Sequence, residues 1–270
     1  MIEAFQIMKW PLLACLLLPG LLVYLGLHIV EREIIFVDLA LAQVAALGTC
    51  VAILLGHDAH DWQTYAWAAS FTVIGAGIFT VTKTKTHRVP QEALIGIVYV
   101  VAAALGILLL SRSAEGNEEL RRTLVGEVLL VRPVEVWKTF ALYAVIAVVH
   151  FVFRRQFLAL TLGKELPRAA RWWDFLFYVL FGFVVTSFVQ IGGVLLVFSY
   201  LIIPAVCGKF LADSLPVRLL IGWVVATLSS IVGLWASYAG DWPTGAALVC
   251  ALGMALLLAG ATSVFVTRRA

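Results

Sequence analysis

Residues 57–61 read His57-Asp58-Ala59-His60-Asp61, two imidazoles and two carboxylates within five positions. Nitrogen and oxygen donors at that density can hold a transition metal. A solvated polar loop is the plainer reading of the same residues. Earlier, Asp38 and Gln43 interrupt an apolar run. An aspartate inside such a run is expensive and is a functional hypothesis by default. Its alternative is a helix-end aspartate near the interface, a few residues past Arg32. Gln43 can act as a weak neutral ligand or hydrogen-bond a neighbouring helix. His150 lies deep in another run, where it faces a path or bonds an adjacent helix. Four cysteines, Cys15, Cys50, Cys207 and Cys250, lie far apart in apolar runs with no CxxC pair. They suggest neither a disulfide framework nor a cysteine zinc site. Cys50 and Cys207 could offer thiolates to a soft metal, although isolated membrane cysteines usually act as small apolar residues. No HExxH, GxSxG or paired-carboxylate constellation argues for a membrane-embedded enzyme.

The elements that hold these residues follow from composition. The chain has 270 residues, 63% hydrophobic and 13% charged, with a mean hydropathy of +1.02. A soluble domain is nearer half apolar and a quarter charged. Runs of about 20 apolar residues recur from end to end, each long enough to cross a bilayer. The expectation is an all-α polytopic membrane protein, a bundle of eight to nine transmembrane helices in one domain over 1–270. The net charge of +3 sits in loops and gives nucleic acid binding little support. The first residues lack a basic start and a small-residue cleavage site, so no cleaved signal peptide is expected.

Spans are expected at about 10–30, 34–55, 62–82, 92–110, 134–153, 173–189, 193–211, 217–238 and 244–266. The second carries Asp38 and Gln43 among Ala40, Ala42, Ala45, Ala46 and Gly48, small residues that permit close helix contact. The sixth and seventh are expected to join through a tight turn at Gln190-Ile191-Gly192. Asp174 and Trp172-Trp173, at the start of the sixth, read as interfacial anchors. Residues 111–133 are the longest non-spanning piece, and their second half could form a short helix on or dipping into the membrane. Within Val189–Asp213, Pro204 frees a backbone carbonyl and bends its helix. Lipid tolerates that only where neighbours or water satisfy the freed group. The Pro204 helix is therefore expected inside the bundle, beside what the bundle encloses, with a purely structural kink as the alternative. Placing the loops after the first, third, fifth and seventh spans and the C-terminus inside collects 13 of the 19 Lys and Arg on the inner side. The C-terminus is then cytoplasmic and the 57–61 loop lies outside.

The run GGVLLVFSYLIIPAVCGKFLADS resembles VGALLVSALLIIPAATARLLA, a pattern of the permease subunits of zinc, manganese and iron ABC transporters. GLHIVEREIIFVDLALAQVAALG is similar to that family's GVFVVLRRMSLLGDALSHAALPG. EALIGIVYVVAAALGILLLS is similar to its fourth-span pattern, LVGEVLLVRPVEVW to LFGDLLAVTPEDL, and GDWPTGAALVCALGMALLL to DLPPGATIVLVAGALFLL. The order is collinear over nearly the whole chain. The resemblance implies that two permease copies form the pathway in a bacterial cytoplasmic membrane. Two copies of a separate ATPase would dock on the cytoplasmic side, and an extracytoplasmic metal-binding protein would deliver the metal. The inner linker at about 153–172 would be the docking surface. The chain has no GxxxxGK[ST] phosphate loop, so ATP is expected to be bound and hydrolysed by the partner.

The departures matter as much. The family commonly places Asp and His four apart, DALSH, where both can ligate Zn²⁺ or Mn²⁺ from one helical face. Alignment through Gly48 puts Leu39 at the aspartate and Gln43 at the histidine. Asp38 falls one residue early, about 100° round the helix. The fourth-span histidine of some members corresponds to Tyr99-Val100. Three readings follow: Asp38 and Gln43 still line the path with weaker or different ligation; the substrate is not the usual divalent cation; or metal is handled elsewhere. Glu127 matches the acidic residue of LFGDLL and would shape an outer gate or cap a short helix. The leading expectation is a permease that imports a divalent transition metal by alternating access, with metal residues Asp38, Gln43, His57 and His60 and gate residues Pro204 and Glu127. The alternative is a permease for another solute, or a membrane partner that does not transport.

Overall fold

The structure is a computed structural model that describes residues 2–58, 61–83, 89–111, 126, 128–163 and 169–267. Among these residues the regular structure is helical. The helices are α1 (Ile2–Leu17), α2 (Pro19–Glu31), α3 (Val37–Leu54), α4 (Trp62–Thr82), α5 (Gln91–Leu110), α6 (Pro133–Val152), α7 (Arg154–Leu162), α8 (Ala170–Leu211), α9 (Leu215–Gly240) and α10 (Thr244–Thr267). A single 3-10 turn, Val128–Leu130, precedes α6. Eight segments among the described residues are long and apolar enough to cross a membrane.

Prolines mark where helices begin. Pro19 opens α2 and Pro133 opens α6, while Pro90 precedes α5. Each stands where its missing N–H would have had no partner in the helix. The chain divides into two compact units. A central unit holds Glu31–Leu124 and Val148–Gln190, and a terminal unit holds Met1–Val30, Val125–Ala147 and Ile191–Ala270.

In the central unit, α3 packs against α4 and α5. The small residues expected to permit this are in place: Ala40, Ala42, Ala45 and Gly48 are buried. A Cβ on Gly48 would lie 2.8 Å from the Trp67 carbonyl oxygen, closer than side chains normally come. An aromatic stack fills the other side. Phe177 lies parallel to Phe181 at 6.0 Å, and Tyr178 meets Phe79 edge-on at 5.9 Å. In the terminal unit, α9 packs on α10 and on α1. Tyr200 and Ser230 share a 2.6 Å hydrogen bond, and Ser230 Oγ also donates to the Cys15 carbonyl at 3.0 Å. This buried chain of bonds joins α8, α9 and α1.

The turn expected at Gln190-Ile191-Gly192 is displaced. Helix runs through those residues, and α8 is broken only at Gly193, with φ 73° and ψ 167°. That backbone region is open to glycine almost alone. One residue therefore redirects the chain while the helical segments on both sides stay intact, and no loop is needed. Gly126 approaches the same spot: a Cβ there would fall 2.1 Å from the Gly192 carbonyl carbon.

Candidate functional site

Asp38 stands in the first turn of α3, one residue past its start. It is at a helix end, as the interfacial reading has it, yet only 1% exposed. Its carboxylate meets no side-chain donor, only the backbone N–H groups of Asp38 and Leu39 at the helix start. Gln43 lies further along the same helix and is also buried. Five residues of α-helix separate the two by about 140° round the axis, so the helix does not present them as a pair.

Glu92, in the first turn of α5, reaches the start of α3. Its Oε1 accepts the Phe36 N–H at 3.0 Å, and its Oε2 is buried without a partner. The Glu92 carboxylate thus meets the residue just before α3, the helix whose first turn carries Asp38.

An ionic cluster also lies inside the central unit. Arg32 Nη2 donates to Asp174 Oδ1, and Lys83 Nζ donates to Asp174 Oδ2 at 2.7 Å. The Arg32 and Asp174 side chains are 5% and 6% exposed, against 38% for Lys83. Arg32 lies over the Phe177 ring at 4.6 Å and the Tyr178 ring at 5.4 Å. Gln91 Nε2 donates to Tyr178 Oη at 2.9 Å. Burial holds the Lys83 ammonium below its usual range; Arg32 pushes the same way, and Asp174 opposes both. Asp174 is therefore no interfacial anchor but the buried acceptor of two cations. Trp172 is exposed.

The remaining expected residues are scattered. His57 is partly exposed in the loop after α3. There the Asp58 carbonyl accepts the Thr64 hydroxyl at 2.8 Å, and Asp61 Oδ2 accepts the Asp58 N–H at 3.4 Å. The loop's polar groups thus serve in part to hold the loop. His60 and Glu127 lie outside the described residues. His150 stacks on Phe157 at 4.2 Å with Phe177 edge-on at 6.0 Å. Pro204 is buried in the terminal unit. Its carbonyl oxygen lies 3.2 Å from where a Cβ on Gly222 of α9 would stand, so the two helices touch there. Among the described residues no three His, Cys, Asp or Glu gather into a metal cluster. Sequence reasoning passed over Glu92, Arg32, Lys83, Gln91 and Tyr178. The adjacent Gln91-Glu92 pair at the head of an apolar run was the one local signal.

Comparison with known proteins gives consistent matches. A family model described as the ABC 3 transport family matches residues 4–263. The manganese transport system membrane protein MntC of Listeria innocua is 27% identical over 230 residues, covering 83% of this chain and 79% of that protein. The MntC of Halalkalibacterium halodurans is 24% identical over 250 residues, covering 91% and 84%. Among solved structures, PsaBC from Streptococcus pneumoniae in complex with Fab superposes with a TM-score of 0.78 at 21% identity. That match covers 96% of this chain and 93% of that chain.

Proposed function

The chain belongs to the ABC 3 transport family, and from that membership we propose that it is the transmembrane subunit of an ATP-driven importer of a divalent transition metal: manganese, zinc or iron. The observation that carries the reading is the collinear match over residues 4–263, with relatives named as manganese transport proteins. Two copies of the chain form the pathway in a bacterial cytoplasmic membrane. ATP is bound and hydrolysed by separate subunits docked on the cytoplasmic side, where α7 and its basic flanks at about 153–172 offer the surface. An extracytoplasmic protein delivers the metal, and the C-terminus is cytoplasmic.

Transport proceeds by alternating access. The metal biases the two states only through its differential affinity for them. The buried helix carrying Pro204 serves as a gate element, and Asp38 and Gln43 of α3 serve as metal ligands. Metal handling at the outer mouth falls to His57 and His60, and the outer gate to Glu127. One observation favours a second reading. Leu39 and Gln43 stand where the resemblance places Asp and His, which suits a different solute.

ATP-dependent uptake into proteoliposomes holding the whole complex decides between them. Uptake of Mn²⁺, Zn²⁺ or Fe²⁺ is expected. Uptake of another solute with none of the three metals would sink the metal reading.

A further inference from the structure

We propose that Asp174 is a coupling residue of this permease: its carboxylate passes displacement of the α7 docking surface to the joint between α2 and α3 and to the end of α4, all within the central unit. The proposal deepens the import reading and rests on it, since it takes α7 as the surface where the ATP-hydrolysing subunits dock.

The argument begins with a short stretch of α8, residues 173–178. Residues four apart on a helix share a face. Trp173 and Phe177 form one such row, and Asp174 and Tyr178 form the row beside it. The aromatic row receives α7. Phe157 meets Trp173 edge-on at 5.9 Å and lies 6.2 Å from Phe177. Phe153, just ahead of α7, lies 5.1 Å from Trp173. Phe157 is 1% exposed, whereas Arg154 and Arg155 of the same helix are exposed. α7 is thus seated on α8 by its aromatic face and leaves its basic residues open to a partner.

The polar row receives three other joints. Asp174 accepts Arg32, from between α2 and α3, and Lys83, which caps the end of α4. Tyr178 Oη accepts Gln91 Nε2, at the first residue of α5, at 2.9 Å. Arg32 also lies over the Phe177 ring at 4.6 Å, so the two rows meet in one side chain. Beyond Arg32 the chain enters α3 at Val37, the helix that carries Asp38 and Gln43.

Close-packed rings pass a displacement on because they have no space to absorb it. The ion pairs pass it further because separating them strands a buried charge. Stability alone does not call for charge here, since an apolar replacement of a buried ion pair is often as stable. The cluster also has room to re-pair. Arg32 Nη1 is buried and without a hydrogen-bond partner among the described residues. A guanidinium with one idle donor can shift across the carboxylate from one-point to two-point contact and stay paired. Two such settings are what a coupling element needs.

The test uses the whole complex in proteoliposomes and reads Mn²⁺ uptake and ATP hydrolysis on the same preparation, which gives Mn²⁺ moved per ATP. Wild type is compared with Asp174→Asn, with the paired apolar replacement Arg32→Met and Asp174→Leu, which strands no charge, and with Asp174→Glu, which keeps the charge. Asp241→Asn, at an exposed acid, is the control. Co-purification of the ATPase subunits reports assembly, and Tm reports folding. The expected result is wild-type assembly and hydrolysis in Asp174→Asn and in the paired replacement, with Mn²⁺ moved per ATP lower by roughly fivefold or more. Asp174→Glu should recover part of the ratio, and the control should keep all of it. If Asp174→Asn does not fold, the paired replacement decides alone. A merely structural role lowers hydrolysis and uptake together and leaves their ratio at the wild-type value; that outcome in the folded paired replacement would overturn the proposal. Arg154→Glu with Arg155→Glu separates the two readings. ATPase subunits that stay bound to that variant sink the docking reading and the coupling role with it. Subunits released there, with an unchanged ratio in the Asp174 variants, sink the coupling role alone.

Discussion

Arg32 and Asp174 are 142 residues apart in the chain, yet the guanidinium donates directly to the carboxylate, with both side chains almost fully buried. The pair ties the residue just beyond α2 to the second turn of α8 inside the central unit. Such a pair is dangerous to break rather than valuable to have, because removing one partner strands the other's charge. Asp174→Ala should destabilise the protein by about 3–5 kcal/mol, and Arg32→Ala by a similar amount. The double substitution should cost less than the sum of the two. Lys83→Ala should cost no more than about 1 kcal/mol, since that side chain is partly solvated. Chemical unfolding of the detergent-solubilised chain, run as a double-mutant cycle, checks all four numbers.

Gly193 is the second point of sensitivity. Its φ of 73° and ψ of 167° suit almost no residue with a Cβ. Gly193→Ala should cost on the order of 1–3 kcal/mol. Gly126→Ala meets the backbone of Gly192 and Gly193 and should be at least as harmful. A fall in Tm for both, with no fall for Gly96→Ala, where a Cβ meets open space, is the expected pattern.

Pro204 gives a functional prediction. It lacks the N–H that would bond the Tyr200 carbonyl one turn back. Pro204→Ala supplies that N–H and lets the bond form. The protein should remain folded, with unchanged or higher Tm, while ATP-dependent uptake falls several-fold. Unchanged uptake would make the kink purely structural.

Gln43 separates the readings of the altered metal site. Gln43→Ala should lower metal uptake if the side chain lines the path, and leave it unchanged if it only packs. Leu39→Asp combined with Gln43→His rebuilds an Asp and a His four apart on one face. Zinc affinity of the complex should then rise at least tenfold, read by competition with a chelating dye.

The spans were legible because an apolar run long enough to cross a membrane is a local property. Residues 244–266 were read as a helix, and α10 is Thr244–Thr267. The break in α8 was read over Gln190-Ile191-Gly192, just ahead of Gly193, where it lies. What decides the break is a backbone conformation that only Gly193 can take. Asp174 was misread for a different reason. Its partners, Arg32 and Lys83, are 142 and 91 residues away, and no window on the sequence brings them together. Glu92 was missed likewise: it looked like the polar edge of a span, while its carboxylate serves another helix.

The break at Gly193 is one residue long, which leaves the chain no slack at that point. An inserted residue could not be absorbed in a loop. It would turn the whole of Val194–Leu211 by about 100° about its own axis. Tyr200 would be carried away from Ser230, and Pro204 from the surface of α9 that Gly222 leaves open. Length at this joint is therefore as restrictive as residue identity, and a single-codon insertion should be worse tolerated here than any single substitution nearby.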